Sequence, residues 1–433
     1  MVRKLKFFIV FLISAMLFCG LVGCVRISIR RRSALLDPGT FTPEPTLFEL
    51  TPEPTLEPTI EPSPVPTEAP TPEPTLEPTP EPTPEPTPEP VDFTMMFVGD
   101  LMCLSSQQNR ARVEAEAGEE YNFRSSFAYV KGILESADYA VGNLETMLSH
   151  SFPTAAEEQI VGGSPNCNAP KEYLDGVRYA GFDALMLANN HCCDAGLNGI
   201  WETLDAVDEY GFEHTGLFRS ENEKRYLMAD IKGVKVAILS YSKSYNGKSG
   251  CTRGKPYILN TISEDAITRD ISNARRDGAE LVIVYAHWGH EHINVPTDDV
   301  RRQAVMIANA GADVICGSHP HAVQPVSFIK AGDGRNVLCI YSLGNFVSSM
   351  TRETAKDTFI AELHFHRDSE GRVTLTEERY HTCLVLQKLN KKYYIVMPTD
   401  IEIPSGNSEL RSHKEELRAA ENRINKILFS ERK

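Results

Sequence analysis

Positive charge is scarce in this sequence. Its 433 residues carry 44 Lys and Arg against 59 Asp and Glu, a formal net charge of −15. The deficit is uneven: residues 1–40 hold seven basic residues and one Asp, residues 41–90 hold eleven Glu and no base, and the remainder carries −10. A nucleic-acid surface needs basic patches that release counterions, so an acidic body excludes that class of partner. Cysteine is also sparse, ten in all with eight after residue 24, which excludes a disulfide scaffold. Cys316 and Cys339 sit inside apolar runs and read as small buried hydrophobes. Cys167, Cys192 and Cys193 lie in polar loops and are able to pair in an oxidising compartment, with a connectivity that spacing does not reveal. No Gly-x-Ser-x-Gly elbow surrounds Ser105 or Ser106, which disfavours a serine hydrolase.

What is present begins with a targeting segment. Arg3, Lys4 and Lys6 precede the apolar stretch "FFIVFLISAMLFCGLVG", which runs up to Cys24. "LVGC" resembles a bacterial lipobox, so residues 1–24 read as a signal peptide and Cys24 as the lipidation site. The alternative is an uncleaved signal anchor, because the stretch approaches the length of a bilayer span. Arg26 and Arg30 to Arg32 favour that alternative, since positive charge opposes export of its flank. Either way the chain is tethered to membrane lipid through its N-terminus, on the extracytoplasmic face of the cell membrane. Residues 25–90 read as a linker. Eighteen of the 28 prolines fall in residues 41–90, in repeats such as "EPTPEPTPEP". Proline fixes φ and removes a donor, so a disordered, extended polyproline stalk is expected, with Glu adding self-repulsion. At about 3.1 Å per residue, it would reach roughly 150 Å at full extension.

From Val91 the composition turns globular, and residues 91–433 read as one domain. Apolar strands are expected at "FTMMFVGD", "ADYAVGNLE", "FDALMLANNH", "VKVAILSYS", "LVIVYAHWGHE" and "DVICGSHPH". Apolar residues at 197, 200, 201, 204 and 207 keep helical spacing, and helices also precede "LVIVYAH" and "DVICGSH". Late strands follow one another without helices, and residues 406–429 read as a polar C-terminal helix. This pattern predicts an α/β fold with mixed sheets.

Five of these strands end in residues able to bind metal: Asp100, Asn143 and Glu145, Asn190 and His191, His287, and His319 with His321. Sites in open α/β sheets form beyond the carboxyl ends of strands, where several ends converge. Carboxylate, amide oxygen and imidazole together suit Mn, Fe, Zn or Mg. A divalent ion there would polarise a phosphoryl oxygen, and His191 is placed to protonate a leaving oxygen. Glu291 follows His287 closely enough to orient a ligand or substrate, and Asn345 in "YSLGNF" turns the chain near the site.

The ordered series "VGDLM", "VGNLE", "ANNHCCDAG", "HWGHE", "GSHPHAVQP" and "YSLGNF", over roughly residues 93–350, resembles the CapA-type poly-γ-glutamate capsule proteins. The resemblance implies a calcineurin-like metallophosphoesterase sandwich of mixed β-sheets flanked by helices. It also implies partners: an anionic capsule polymer and membrane-bound capsule synthesis proteins. Residue by residue it makes Asp100, Asn190, His287, His319 and His321 metal ligands and His191 the acid. Two positions depart from the wider pattern. Met102 stands where Asp-x-His has its imidazole, and Asn143 where Gly-Asp has its carboxylate, with Glu145 nearest. The expectation is one tight divalent ion held by Asn190, His287 and His319. A second, weaker position would draw on Asp100 and His321, with the Glu145 carboxylate able to serve both. Two functions follow: a metal-dependent hydrolase acting on a phosphoester or envelope-polymer link, or a non-catalytic polymer-binding or assembly component with a degenerate site.

Overall fold

A computed structural model describes residues 89–432; Cys24 and most of the Pro-rich stretch lie outside the described residues. Two mixed sheets dominate. In the first, the strand order is Lys392–Pro398, Val373–Leu389, Asp357–Arg367, Val91–Leu101, Tyr139–Asn143, Ala184–Met186 and Glu213–Thr215, with Asn345–Val347 also pairing with Val91–Leu101. In the second it is Val326–Lys330, Asn336–Ile340, Val314–Ser318, Leu281–His287, Val234–Ser242 and Leu227–Ile231.

The alternation of side chains along each strand sets the layers. Phe93, Met95 and Phe97 face the second sheet and share a core with Ile238, Ile283, Tyr285, Val314 and Leu338. Met96 and Val98 face the other way, onto helices Tyr173–Ala180 and Gly196–Glu209. The outer face of the second sheet packs against helices Glu264–Arg276 and Asp298–Ala310 through Ile267, Ile271, Val300 and Ile307. Those two helices start at side-chain caps, Ser263 accepting from the Ala266 amide and Thr297 from the Val300 amide, with acids in both first turns where the helix dipole favours them. The result is a helix–sheet–sheet–helix sandwich, the expected class. Cys316 and Cys339 are fully buried, as small core hydrophobes.

The C-terminal segment differs from the expected polar helix. It breaks at His413 into Ser408–Ser412 and Lys414–Leu428. Leu417, Ala420, Ile424 and Leu428 join the core between the sheets, spaced so that one stripe is apolar although the average composition is polar.

Two glycines let the strand ends close on one another. A Cβ on Gly99 would lie 1.9 Å from the Gly344 carbonyl oxygen, and one on Gly317 would lie 1.9 Å from that of Tyr341. Only the absence of a side chain allows those backbones to approach.

Candidate metal centre

Strand register brings the first group together. Asp100 is paired with Asn143 on one side and Asn345 on the other; the ladder shifts register just before it on the Asn143 side and just after it on the Asn345 side. In the second sheet His287 lies beside Ser318 and Ser242. Apart from Asn345, which opens its strand, both sets stand at carboxyl ends of parallel strands, and the sandwich turns them toward each other.

Glu145 occupies the centre. Its Oε1 is 3.4 Å from His287 Nε2, 3.8 Å from His321 Nε2 and 4.0 Å from His191 Nε2. The side chain is fully buried, and among the described residues neither of its oxygens has a hydrogen-bond partner. Burial pushes its carboxyl well above the usual range, and the neighbouring Asp100 charge adds to the rise. Buried carboxylates without donors are costly, so this arrangement calls for a cation. The spacing suits one: donors about 2.1 Å from a tetrahedral ion lie about 3.4 Å apart.

The remaining donors surround Glu145. Asp100 Oδ2 is 3.2 Å from His321 Nδ1 and accepts from the His319 amide at 3.3 Å. His321 Nδ1 is also 2.8 Å from Asn345 Oδ1, which aims the ring. His287 lies 2.9 Å from Asn190 Oδ1 through Nε2 and 2.9 Å from Ser318 Oγ through Nδ1. His319 Nδ1 is likewise buried and lacks a partner among the described residues. His319 and His321 have φ of +93° and +53°, conformations that cost energy outside glycine and cluster at functional sites. Burial, with His321 adding to it, pushes the His319 imidazole down to about 4, and burial, helped by His319, holds His287 well below its ordinary range. Both imidazoles are therefore neutral at pH 7, the form that ligates metal.

Donor atoms close enough to share an ion form two sets, Asp100 with Glu145 and His287, and Glu145 with His319 and His321. Glu145 belongs to both. Asn190 Oδ1, 2.9 Å from His287 Nε2, lies beside the first set. Asn143 Nδ2 donates to Asp100 Oδ1 at 2.7 Å and lies 3.4 Å from His287 Nδ1. Met102 is buried, and its carbonyl accepts from Gln107. Glu291 is exposed at the mouth, near enough for its charge to act on His319.

His191 stands at the rim with its Nδ1 2.7 Å from Asp194 Oδ2, and Lys248 Nζ is 2.9 Å from the other Asp194 oxygen. Burial alone would lower its basicity. The Cys167 thiol, the bond to Asp194 and the Glu145 charge outweigh that and hold the imidazole well above its ordinary range. Sequence reasoning did not assign Asp194. Its signal was the three-residue spacing in "HCCD", which returns a carboxylate to the same side of a tight turn. Ser318 and Lys248 carried no such signal, because their roles depend on the register of the second sheet and on loop packing.

Fold and site define an α/β sandwich protein with a buried acid-and-imidazole cluster at the carboxyl ends of its strands. The family model for bacterial capsule synthesis protein PGA_cap matches residues 94–350, and the chain belongs to that family. It is 30% identical over 279 residues to the capsule biosynthesis protein CapA of Bacillus anthracis, covering 63% of each chain. It is 28% identical over 287 residues to the PGA biosynthesis protein CapA of Bacillus subtilis strain 168, covering 66% of this chain and 71% of that one. The chain thus spans less than two thirds of the length of the first relative. Among solved structures, the calcineurin-like phosphoesterase YfkN of Bacillus subtilis aligns at a TM-score of 0.41 and 11% identity, over 78% of this chain and 99% of that chain.

Proposed function

We propose that the protein acts in capsule polymer synthesis or export as a metal-dependent hydrolase of a phosphoester or of a link in an anionic envelope polymer. One observation carries this reading: a fully buried carboxylate, Glu145, with no donor among the described residues and three imidazole nitrogens within 4.0 Å. Asp100, Glu145, Asn190, His287, His319 and His321 would hold a divalent ion of the Mn, Fe, Zn or Mg kind. When bound, such an ion supplies Lewis-acid polarisation of a substrate oxygen. The chain's own residues do the rest. Asp194 fixes the His191 ring through Nδ1, which leaves Nε2 to hold the proton for a leaving oxygen. Asn143 and Asn345 hold Asp100 and His321 in position from the neighbouring strands.

A second reading has its own support. Met102 and Asn143 replace two residues of the wider pattern, and a site short of donors would bind polymer or partner proteins without turning it over. Elemental analysis and phosphoester hydrolysis by the full chain, purified in detergent, separate the two. Metal retention with activity abolished by His191→Ala supports the enzyme, and metal-loaded protein inactive on every phosphoester tested supports the assembly role. Protein that retains no metal after reconstitution overturns the enzyme reading. Lipidation at Cys24, with anchoring on the extracytoplasmic face, completes the proposal and rests on the lipobox alone.

A further inference from the structure

Strand Val234–Ser242 ends beside the strand of His287, with Ser242 and His287 in register. The chain that follows meets the metal centre at three points. The Lys243 amide donates to the His287 carbonyl at 2.9 Å. Asn190 Nδ2 donates to Asn246 Oδ1 at 3.4 Å, and Lys248 Nζ donates to Asp194 Oδ1 at 2.9 Å. Between Tyr245 and Lys248 the chain makes a tight turn, closed by the Lys248 amide donating to the Tyr245 carbonyl at 2.8 Å. Its central residues, Asn246 and Gly247, have φ of +51° and +73°, the signs that a type I′ turn requires and that an Asn-Gly pair adopts most readily. Tyr245 anchors the turn: it is buried in the apolar cluster that holds Leu187 and Cys192, and Thr261 Oγ1 donates to its hydroxyl at 3.4 Å.

We propose that this turn is a positioning element of the metal centre, and that Asn246 fixes the Asn190 amide with its oxygen turned to the ion. The inference rests on the metal-binding part of the proposed function and not on hydrolysis. An amide offers a cation its oxygen alone, so reversing the Asn190 side chain would replace a ligand by an NH₂ group. The observed orientation suits an ion. Asn190 Oδ1 is 2.9 Å from His287 Nε2, and two donors about 2.1 Å from an ion, at right angles to one another, lie about 3.0 Å apart. A ligating His287 Nε2 carries no proton to hold that oxygen, which leaves Asn246 as the partner that sets the amide. Asn246 Oδ1 is an acceptor: it takes the Nδ2 end of Asn190 and opposes the reversed amide, which would bring two carbonyl oxygens together. The type I′ turn holds Asn246 at that point, and the Lys248–Asp194 ion pair keeps the turn against the strand end that bears Asn190.

The test titrates Mn(II) into the chelator-stripped full chain in detergent by calorimetry. Salt of about 1 M, where the Debye length is about 3 Å, screens any charge a variant adds. Asn246→Gly and Asn246→Asp both accept positive φ and keep the turn, but only Asn246→Asp keeps an acceptor oxygen at that point. Asn246→Gly should raise the Mn(II) Kd by about 10- to 100-fold with the metal-free Tm unchanged, and Asn246→Asp should restore the wild-type Kd. An Asn246→Gly Kd equal to that of wild type, or an Asn246→Asp Kd as weak as that of Asn246→Gly, would overturn the inference and leave the metal centre standing. A lowered metal-free Tm in Asn246→Gly would make Asn246 a turn former alone and overturn it likewise. Wild type that takes up no Mn(II) would remove the centre and the inference together.

Discussion

Replacing Glu145 by Gln separates the demands of the metal from those of the scaffold. The carboxyl is fully buried, and among the described residues no donor reaches either oxygen. An uncompensated buried charge costs roughly 3 to 5 kcal/mol. Without metal the group escapes that cost only by holding a proton, and burial together with Asp100 raises its pKa accordingly. A raised folded-state pKa means that the folded chain binds a proton the unfolded chain releases. The resulting stabilisation is fully present below the unfolded value of about 4.3 and is lost as pH rises through the folded value. Metal-free wild type should therefore lose stability between pH 5 and neutrality, and Glu145→Gln should remove that component. At pH 7.5 the metal-free variant should exceed metal-free wild type by up to about 3 kcal/mol, roughly 6 °C in Tm at about 2 °C per kcal/mol for a large domain. Reloading with Mn or Zn should reverse the order, because the carboxylate then has its partner. Thermal unfolding of chelator-stripped and reloaded protein at pH 5 and 7.5, with elemental analysis, reads all four states. A metal-free variant less stable than wild type by more than about 1 kcal/mol, or one that keeps wild-type metal content, would refute the reasoning.

His191→Ala and Asp194→Asn should leave metal content unchanged while lowering any hydrolytic rate by about 10² to 10⁴, the second by releasing the ring; loss of metal in either variant would place His191 among the ligands. His287→Ala should lower metal retention by removing one of three donors in its set, and full retention on elemental analysis would show that His287 is not a ligand. Gly99→Ala should destabilise the fold by about 3 kcal/mol, since the new Cβ meets a backbone oxygen that has no room to yield; a loss under about 0.5 kcal/mol in denaturant unfolding would show that the strand ends relax. Cys24→Ala should release the protein from the membrane fraction, whereas unchanged retention with an intact N-terminus by mass spectrometry would establish the signal anchor.

Local pattern carried much of this protein. Strand–helix alternation, the helical spacing at 197–207 and the uninterrupted late strands are properties of neighbouring residues, because amphipathic periodicity is written in consecutive positions. The residues that gather at the strand ends were legible for the same reason, standing at or close after apolar runs. What consecutive residues do not encode is which strand ends face one another. That Glu145 occupies the centre and that Asn143 holds Asp100 follow from parallel register across one sheet and from its packing on the second. The C-terminal segment makes the point from the other side. Its average composition is polar, yet Leu417, Ala420, Ile424 and Leu428 close the core between the sheets. Whether such a stripe is buried depends on the surface it meets, and only the assembled tertiary structure supplies that surface.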